Sequence, residues 1–191
     1  MKRILKLGSL LLSLSTIALS SCSYYNEDGV YPSNSVVRQE HVRPPYNRET
    51  YESRMPSHIS TSEKTVVVDP RVHSWGAYDS SGNLVKGGMA SAGSNWCPDL
   101  HRACHTATGS FRVNSLGSPQ CKSSLFPMPR GGAPMPHCMF FHKNQAIHGS
   151  HDAEVVDGNV SHGCVRLHVG EAEWLRYDFV NVGTKVIVRS Y

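Results

Sequence analysis

The segment Ser161-His162-Gly163-Cys164-Val165-Arg166-Leu167 constrains this chain more than any other. A cysteine directly follows a glycine, and a histidine stands two positions before that cysteine. A second histidine lies upstream in Ala146-Ile147-His148-Gly149-Ser150. A thiol attacks as thiolate, and its ordinary pKa of about 8.5 leaves little of that form at neutral pH. An adjacent imidazole can remove the proton and return it to a leaving amine. Gly163 allows backbone N–H groups to approach a reacting carbonyl, where they can stabilise an oxyanion. The fold must therefore carry a nucleophile, a base and an oxyanion site to one place. A zinc set drawn from His142, His148, His151, His162, Cys164 and His168 is the competing reading, but their spacing fits no common structural-zinc pattern.

His148-Gly149-Ser150, a gap, and then Ser161-His162-Gly163-Cys164-Val165-Arg166-Leu167 resembles the signature of the L,D-transpeptidase catalytic domain, the YkuD-type family. Papain-like and NlpC/P60-like peptidases place Cys before His, the reverse of the order here. The resemblance extends through Trp75-Gly76-Ala77-Tyr78-Asp79 and Met89-Ala90-Ser91-Ala92-Gly93. Thr106-Ala107-Thr108-Gly109-Ser110-Phe111 is similar to a family Thr-Pro-x-Gly-x-Phe/Tyr segment, with Ala107 in place of proline. Gly183-Thr184-Lys185-Val186 matches the family's closing strand. The fold implied is mostly β with short helices, an L,D-transpeptidase-like β-sandwich or barrel with an active-site loop.

The resemblance implies a peptidoglycan L,D-transpeptidase. Cys164 would attack the carbonyl between a diamino acid and D-Ala in a tetrapeptide stem, release D-Ala, and pass the acyl group to an amine. The alternatives are an L,D-carboxypeptidase, with water as acceptor, and a non-catalytic wall-binding envelope lipoprotein. His148 is the expected base and acid, oriented by the carbonyl of Gly149. His162 is expected at the active-site wall. Gly163 and Cys164 supply the expected oxyanion N–H groups. Arg166 is a candidate for a substrate carboxylate, and Ser161 is placed beside the substrate or in the loop's hydrogen bonding. No metal and no cofactor is required.

The N-terminus reads as an export signal. Lys2, Arg3 and Lys6 precede a short apolar run from Leu7 to Leu19, too short for an ordinary membrane span. Leu19-Ser20-Ser21-Cys22 resembles a lipobox, so residues 1–21 are expected to be removed and Cys22 lipidated. Ser23 in the next position points to an outer-membrane anchor facing the periplasm. Without its signal, a chain of formal charge +4 is close to neutral. No basic stripe with interleaved aromatics suggests nucleic acid. The expected partners are peptidoglycan stem peptides and the membrane through Cys22, with the protein itself a monomer.

Residues 22–63 are polar and interrupted by Pro32, Pro44, Pro45 and Pro56. They are expected to form a flexible tether, with the catalytic domain spanning 64–191. With Cys22 and Cys164 assigned, Cys97, Cys104, Cys121 and Cys138 form an even set in an exported protein, as disulfides require. Three pairings are open. Local closure favours Cys97–Cys104 and Cys121–Cys138, and a four-cysteine zinc site is the weaker choice in an oxidising compartment. The Pro/Gly/Ser-rich stretch 119–136 is of a length that is often functional in a compact domain, and the family resemblance implies that it walls or covers the substrate groove.

Overall fold

The computed structural model describes residues 45–191. The expected signal (1–21), the lipidation site Cys22 and the first half of the tether lie outside the described residues. Among the described residues, nine strands form two sheets. The first has the order β3-β2-β1-β9-β4, from Leu84–Met89 (β3), Ser74–Tyr78 (β2), Thr65–Asp69 (β1), Lys185–Val188 (β9) and Gly109–Arg112 (β4). The second has the order β5-β6-β7-β8, from Ser115–Leu116 (β5), Met139–His142 (β6), Gln145–Ser150 (β7) and Val165–His168 (β8). Two pairings are parallel, β1 with β9 and β7 with β8.

The core lies between the sheets. Val66, Val68, Trp75, Val186 and Val188 from the first sheet meet Met139, Phe141, Ile147, Val165 and Leu167 from the second. Strand alternation explains the choice: successive side chains point to opposite faces. In β1 the intervening Val67 points outward, yet it is also buried, packed with Met55 and Tyr78. β-branched residues on both faces suit a strand covered on both sides. The helices are short, α1 at Arg48–Glu52 and α2 at Val169–Trp174, the latter running on into a wider π turn over Leu175–Phe179.

The cover over Val67 corrects the expected tether boundary. Residues 45–62 are packed, not loose. Asn47 caps α1 by accepting from the Glu49 N–H at 3.0 Å. Met55 is buried beneath the sheet. Arg54 forms a bidentate pair with Asp157 at 2.8 and 2.9 Å. The Tyr46 hydroxyl donates to the buried Glu171 carboxylate, which also accepts from Trp75 Nε1 at 3.1 Å. The Tyr46 ring stacks on His168 with centroids 3.9 Å apart. Burial pushes the Glu171 carboxyl above its usual range, against the opposing hydrogen bonds from Tyr46 and Trp75.

Elsewhere the local patterns match the elements. Asp79 Oδ1 accepts from the Ser81 and Asn83 N–H groups, both at 2.9 Å, which closes the β2–β3 turn. Lys143-Asn144 turns β6 into β7, with Lys143 in the left-handed region at φ 47°. Cys97 is bonded to Cys104 and Cys121 to Cys138, with Cα atoms 6.0 and 6.2 Å apart.

Candidate active site

Ile147, Val165 and Leu167 point into the core. By alternation, His148 and Arg166 point to the opposite face of the second sheet, and Cys164, directly before β8, shares that face. His148 and Arg166 stand opposite each other in the parallel register of β7 and β8. The sequence separation of 16 positions between the expected base and nucleophile is thus closed by one strand pairing. Parallel pairing requires a crossover, and residues 151–164 provide it.

The turn carrying Cys164 is held from inside. Ser161 is 1% exposed. Its hydroxyl donates to the Cys164 carbonyl and accepts the Gly163 N–H at 3.0 Å. Ser161 takes the loop's hydrogen-bonding place, one of the two expected for it, and also lines the cavity. One expectation is corrected here. The Gly163 N–H is already engaged by Ser161, so Gly163 is not an available oxyanion donor. The Cys164 N–H has no protein acceptor among the described residues. Gly163 itself is required by geometry: its φ is 119°, and a Cβ there would stand 2.8 Å from Gln145 Nε2.

His148 is 5% exposed, and its Nδ1 lies 2.8 Å from the Gly149 carbonyl oxygen. A carbonyl only accepts, so Nδ1 carries the proton and Nε2 keeps its lone pair. The Gly149 N–H donates to the Pro136 carbonyl at 2.8 Å, which fixes this strand end. The His148 pKa is pushed down to about 4, chiefly by burial and also by Arg166, with the Gly149 hydrogen bond and Glu154 opposing.

Cys164 is half-buried and unpaired. Its Sγ lies 3.8 Å from the Asn144 carbonyl, and the side chain packs against Met135, Cys138 and Ala146. Burial pushes the thiol pKa up, opposed by a backbone hydrogen bond from Ala146 and by the Arg166 charge. The resting pair is therefore neutral thiol and neutral imidazole. Such a pair can transfer a proton as the sulfur attacks, with Arg166 favouring the developing negative charge.

A cavity of about 690 Å³ opens over this face, lined by His148, Cys164, Arg166 and His162 among others. Its far wall comes from the 119–136 stretch, including Leu125, Phe126 and Pro134. His162 belongs to the wall: Nε2 contacts both Asp99 oxygens at 2.9 and 3.0 Å, and its ring lies 4.5 Å from that of Phe126. His142 and His168 lie away from the cavity lining. His168 Nδ1 is 2.8 Å from Asp152. Among the described residues, Cys97, Asp99 and His162 form the one group close enough to share an ion, but Cys97 is held in the disulfide with Cys104.

Several contributors escaped sequence reasoning. Gln145 pins the neighbouring loop, accepting from the Ala107 N–H at 2.9 Å and donating to the His105 carbonyl at 3.2 Å. Ser150 lines the cavity with a buried hydroxyl that has no partner among the described residues. Asp99 holds His162. None carries a local pattern; only the position of Ser150, two residues from His148 on the same strand face, was readable.

This arrangement on two β-sheets has known counterparts. The sequence model of the L,D-transpeptidase catalytic domain (YkuD) matches residues 63–188. The chain belongs to the L,D-transpeptidase catalytic domain family. An L,D-transpeptidase structure from Xylanimonas cellulosilytica is similar at 25% identity and TM-score 0.59, over 70% of this chain and 64% of that one. An L,D-transpeptidase from Mycobacterium smegmatis shares 24% identity at TM-score 0.54, over 67% and 59%. L,D-transpeptidase 3 from Mycobacterium tuberculosis, in complex with a faropenem-derived adduct, shares 21% at TM-score 0.52, over 66% and 60%. The chain thus spans less than two thirds of each of these neighbours. No curated protein sequence matches it.

Proposed function

We infer that the protein is a peptidoglycan L,D-transpeptidase working through a Cys164 thioester. The observation that carries this reading is the joint placement of Cys164 and His148. They share one sheet face at the base of the cavity, and the His148 Nδ1 is anchored to the Gly149 carbonyl. His148 Nε2 takes the Cys164 proton as the sulfur bonds to the carbonyl carbon between the diamino acid and D-Ala. The Cys164 N–H is the backbone donor placed for the resulting oxyanion. Collapse breaks the C–N bond, the imidazolium returns its proton to the departing D-Ala amine, and the acyl group stays on sulfur. An acceptor amine then attacks the thioester and gives a proton to His148. The C–S bond breaks, and that proton returns to sulfur. Water in the amine's place yields the carboxypeptidase outcome.

The proposal includes location. The protein is an exported lipoprotein held at the periplasmic face of the outer membrane through Cys22, with the domain from Pro45 presented to the wall. Labelling with a radioactive fatty acid, lost in Cys22→Ser, tests the anchor.

The reaction is tested by intact-protein mass spectrometry after incubation with a purified tetrapeptide stem. The expected result is an acyl-tripeptide adduct on Cys164 with release of D-Ala, absent in Cys164→Ala and in His148→Ala. A folded protein that gives neither adduct nor D-Ala contradicts the reading, and turnover retained in His148→Ala moves the base elsewhere.

A further inference from the structure

The cavity beside Cys164 is charged one way. Its walls carry Arg102, Lys122, Lys143 and Arg166 against one acid, Glu154. The whole sequence is far closer to balance, with 19 Lys and Arg to 15 Asp and Glu. Among the described residues, four of the other arginines are neutralised in place, Arg48 by Glu52, Arg54 by Asp157, Arg112 by Glu63 and Arg189 by Asp69, while Arg71, Arg130 and Arg176 are not. Among the described residues, none of the four cavity cations has a carboxylate within ion-pairing distance.

These four come from separate segments, each tied down. Arg102 lies between the bonded Cys97 and Cys104, and Lys122 follows the bonded Cys121. Lys143 sits in the left-handed position of the β6–β7 turn, next to the Asn144 carbonyl that contacts the thiol. Arg166 stands opposite His148. Like charges fixed around a low-dielectric cleft raise its potential, and ligands of opposite sign are drawn to it. A stem peptide meets that condition only if it is itself multiply anionic.

Resting on the acyl-transfer reading above, we propose that this cavity selects donor stems bearing free carboxylates beyond the one that departs with D-Ala. The third residue is then a diamino dicarboxylic acid, and the acidic residue before it is unamidated. Stems in which these groups are carboxamides, or in which lysine takes the third place, are poor donors. Arg166 is the specificity-determining residue nearest the reacting carbonyl, and Lys122 and Lys143 act from the walls.

The test uses the full chain in detergent and two synthetic tetrapeptides that differ only in carboxylate against carboxamide at the second and third residues. The readouts are thioester formation and D-Ala release. The acid donor is expected to exceed the amide donor in kcat/KM by about tenfold or more, as charge-assisted contacts imply. The gap should narrow as salt rises from about 0.05 M to about 0.5 M through screening. It should fall to about twofold in Arg166→Gln and shrink in the Lys122→Gln/Lys143→Gln double variant. A ratio taken on one preparation is independent of the fraction folded. Equal rates, or preference for the amide, with D-Ala still released, overturn the selectivity and leave acyl transfer standing. A ratio unchanged in both variants overturns the assignment to these cations. If neither donor acylates Cys164, the parent reading falls and this proposal with it.

Discussion

His148 Nδ1 donates to the carbonyl of the residue that follows it, Gly149, at 2.8 Å. The proposed base is thus oriented by its own strand, with no carboxylate partner on the ring among the described residues. A carbonyl fixes a tautomer without adding a full negative charge, so this contact opposes burial without outweighing it.

The pH profile should follow. His148 must be neutral to accept the Cys164 proton, and burial holds its pKa at about 4. Acylation should therefore persist well below the ordinary imidazole value of about 6.5 and fall only as pH passes about 4. Stopped-flow acylation rates against pH check this, and an acid limb at the ordinary imidazole value would contradict it. The same shift governs stability. Between these two values the unfolded chain binds more protons than the folded one, so stability is full above the unfolded value and declines as pH falls. The loss amounts to roughly 3 kcal/mol once pH is below the folded value. Denaturant titrations should show that slope, flattened in His148→Gln.

Ser161→Ala removes both hydrogen bonds inside the catalytic turn. The Gly163 N–H is left buried without an acceptor, at a cost of about 1–3 kcal/mol. Urea unfolding should register that loss, and acylation should slow by more than the stability change explains, because the Cys164 carbonyl is no longer fixed.

Gly163→Ala forces a side chain into the left-handed region and against Gln145. A cost of about 1–3 kcal/mol is expected from the backbone alone. Pairing the change with Gln145→Ala should recover the steric part and leave the conformational part, which a double-mutant cycle on Tm separates.

Tyr46→Phe tests the packed N-terminal segment. It withdraws one donor from the buried Glu171, and a lost hydrogen bond to a charged buried group costs about 1.5–3 kcal/mol. Reduced stability with normal acylation is the expected pair of results. Unchanged stability would mean that residues 45–62 are not part of the cooperative unit.

Opening the Cys121–Cys138 bond by the double change to Ser should cost roughly 3 kcal/mol through the freed loop. The cavity wall should loosen as well: KM for the donor should rise, and kcat should fall with it, because Gly149 is hydrogen-bonded to Pro136 and Cys164 packs against Met135 and Cys138.

What the sequence revealed was what short-range pattern encodes. His148-Gly149 and Ser161 to Leu167 were legible because each is a contiguous unit, and Val66-Val67-Val68 and the Asp79–Gly82 turn declare themselves through β-branching and turn chemistry. The packing of residues 45–62 was not legible. It depends on Tyr46 meeting Glu171 across 125 positions and on Met55 reaching Val67, contacts that leave no periodic trace among prolines and polar residues. The occupied N–H of Gly163 was hidden for a different reason. The letters Ser-His-Gly-Cys are compatible with either a free or an engaged donor, and only the turn's conformation chooses.

β9 carries a last consequence. It lies between β1 and β4, pairing with the first in parallel and with the other antiparallel. Until residues 185–188 pair, β1 has a gap where its central partner belongs, and β4 has no neighbour in its sheet. The first sheet therefore closes only with nearly the last residues of the chain, after the segment that carries Cys164. A chain cut short before β9 would keep Cys164 and lose the strand that joins the two parts of the sheet opposite it.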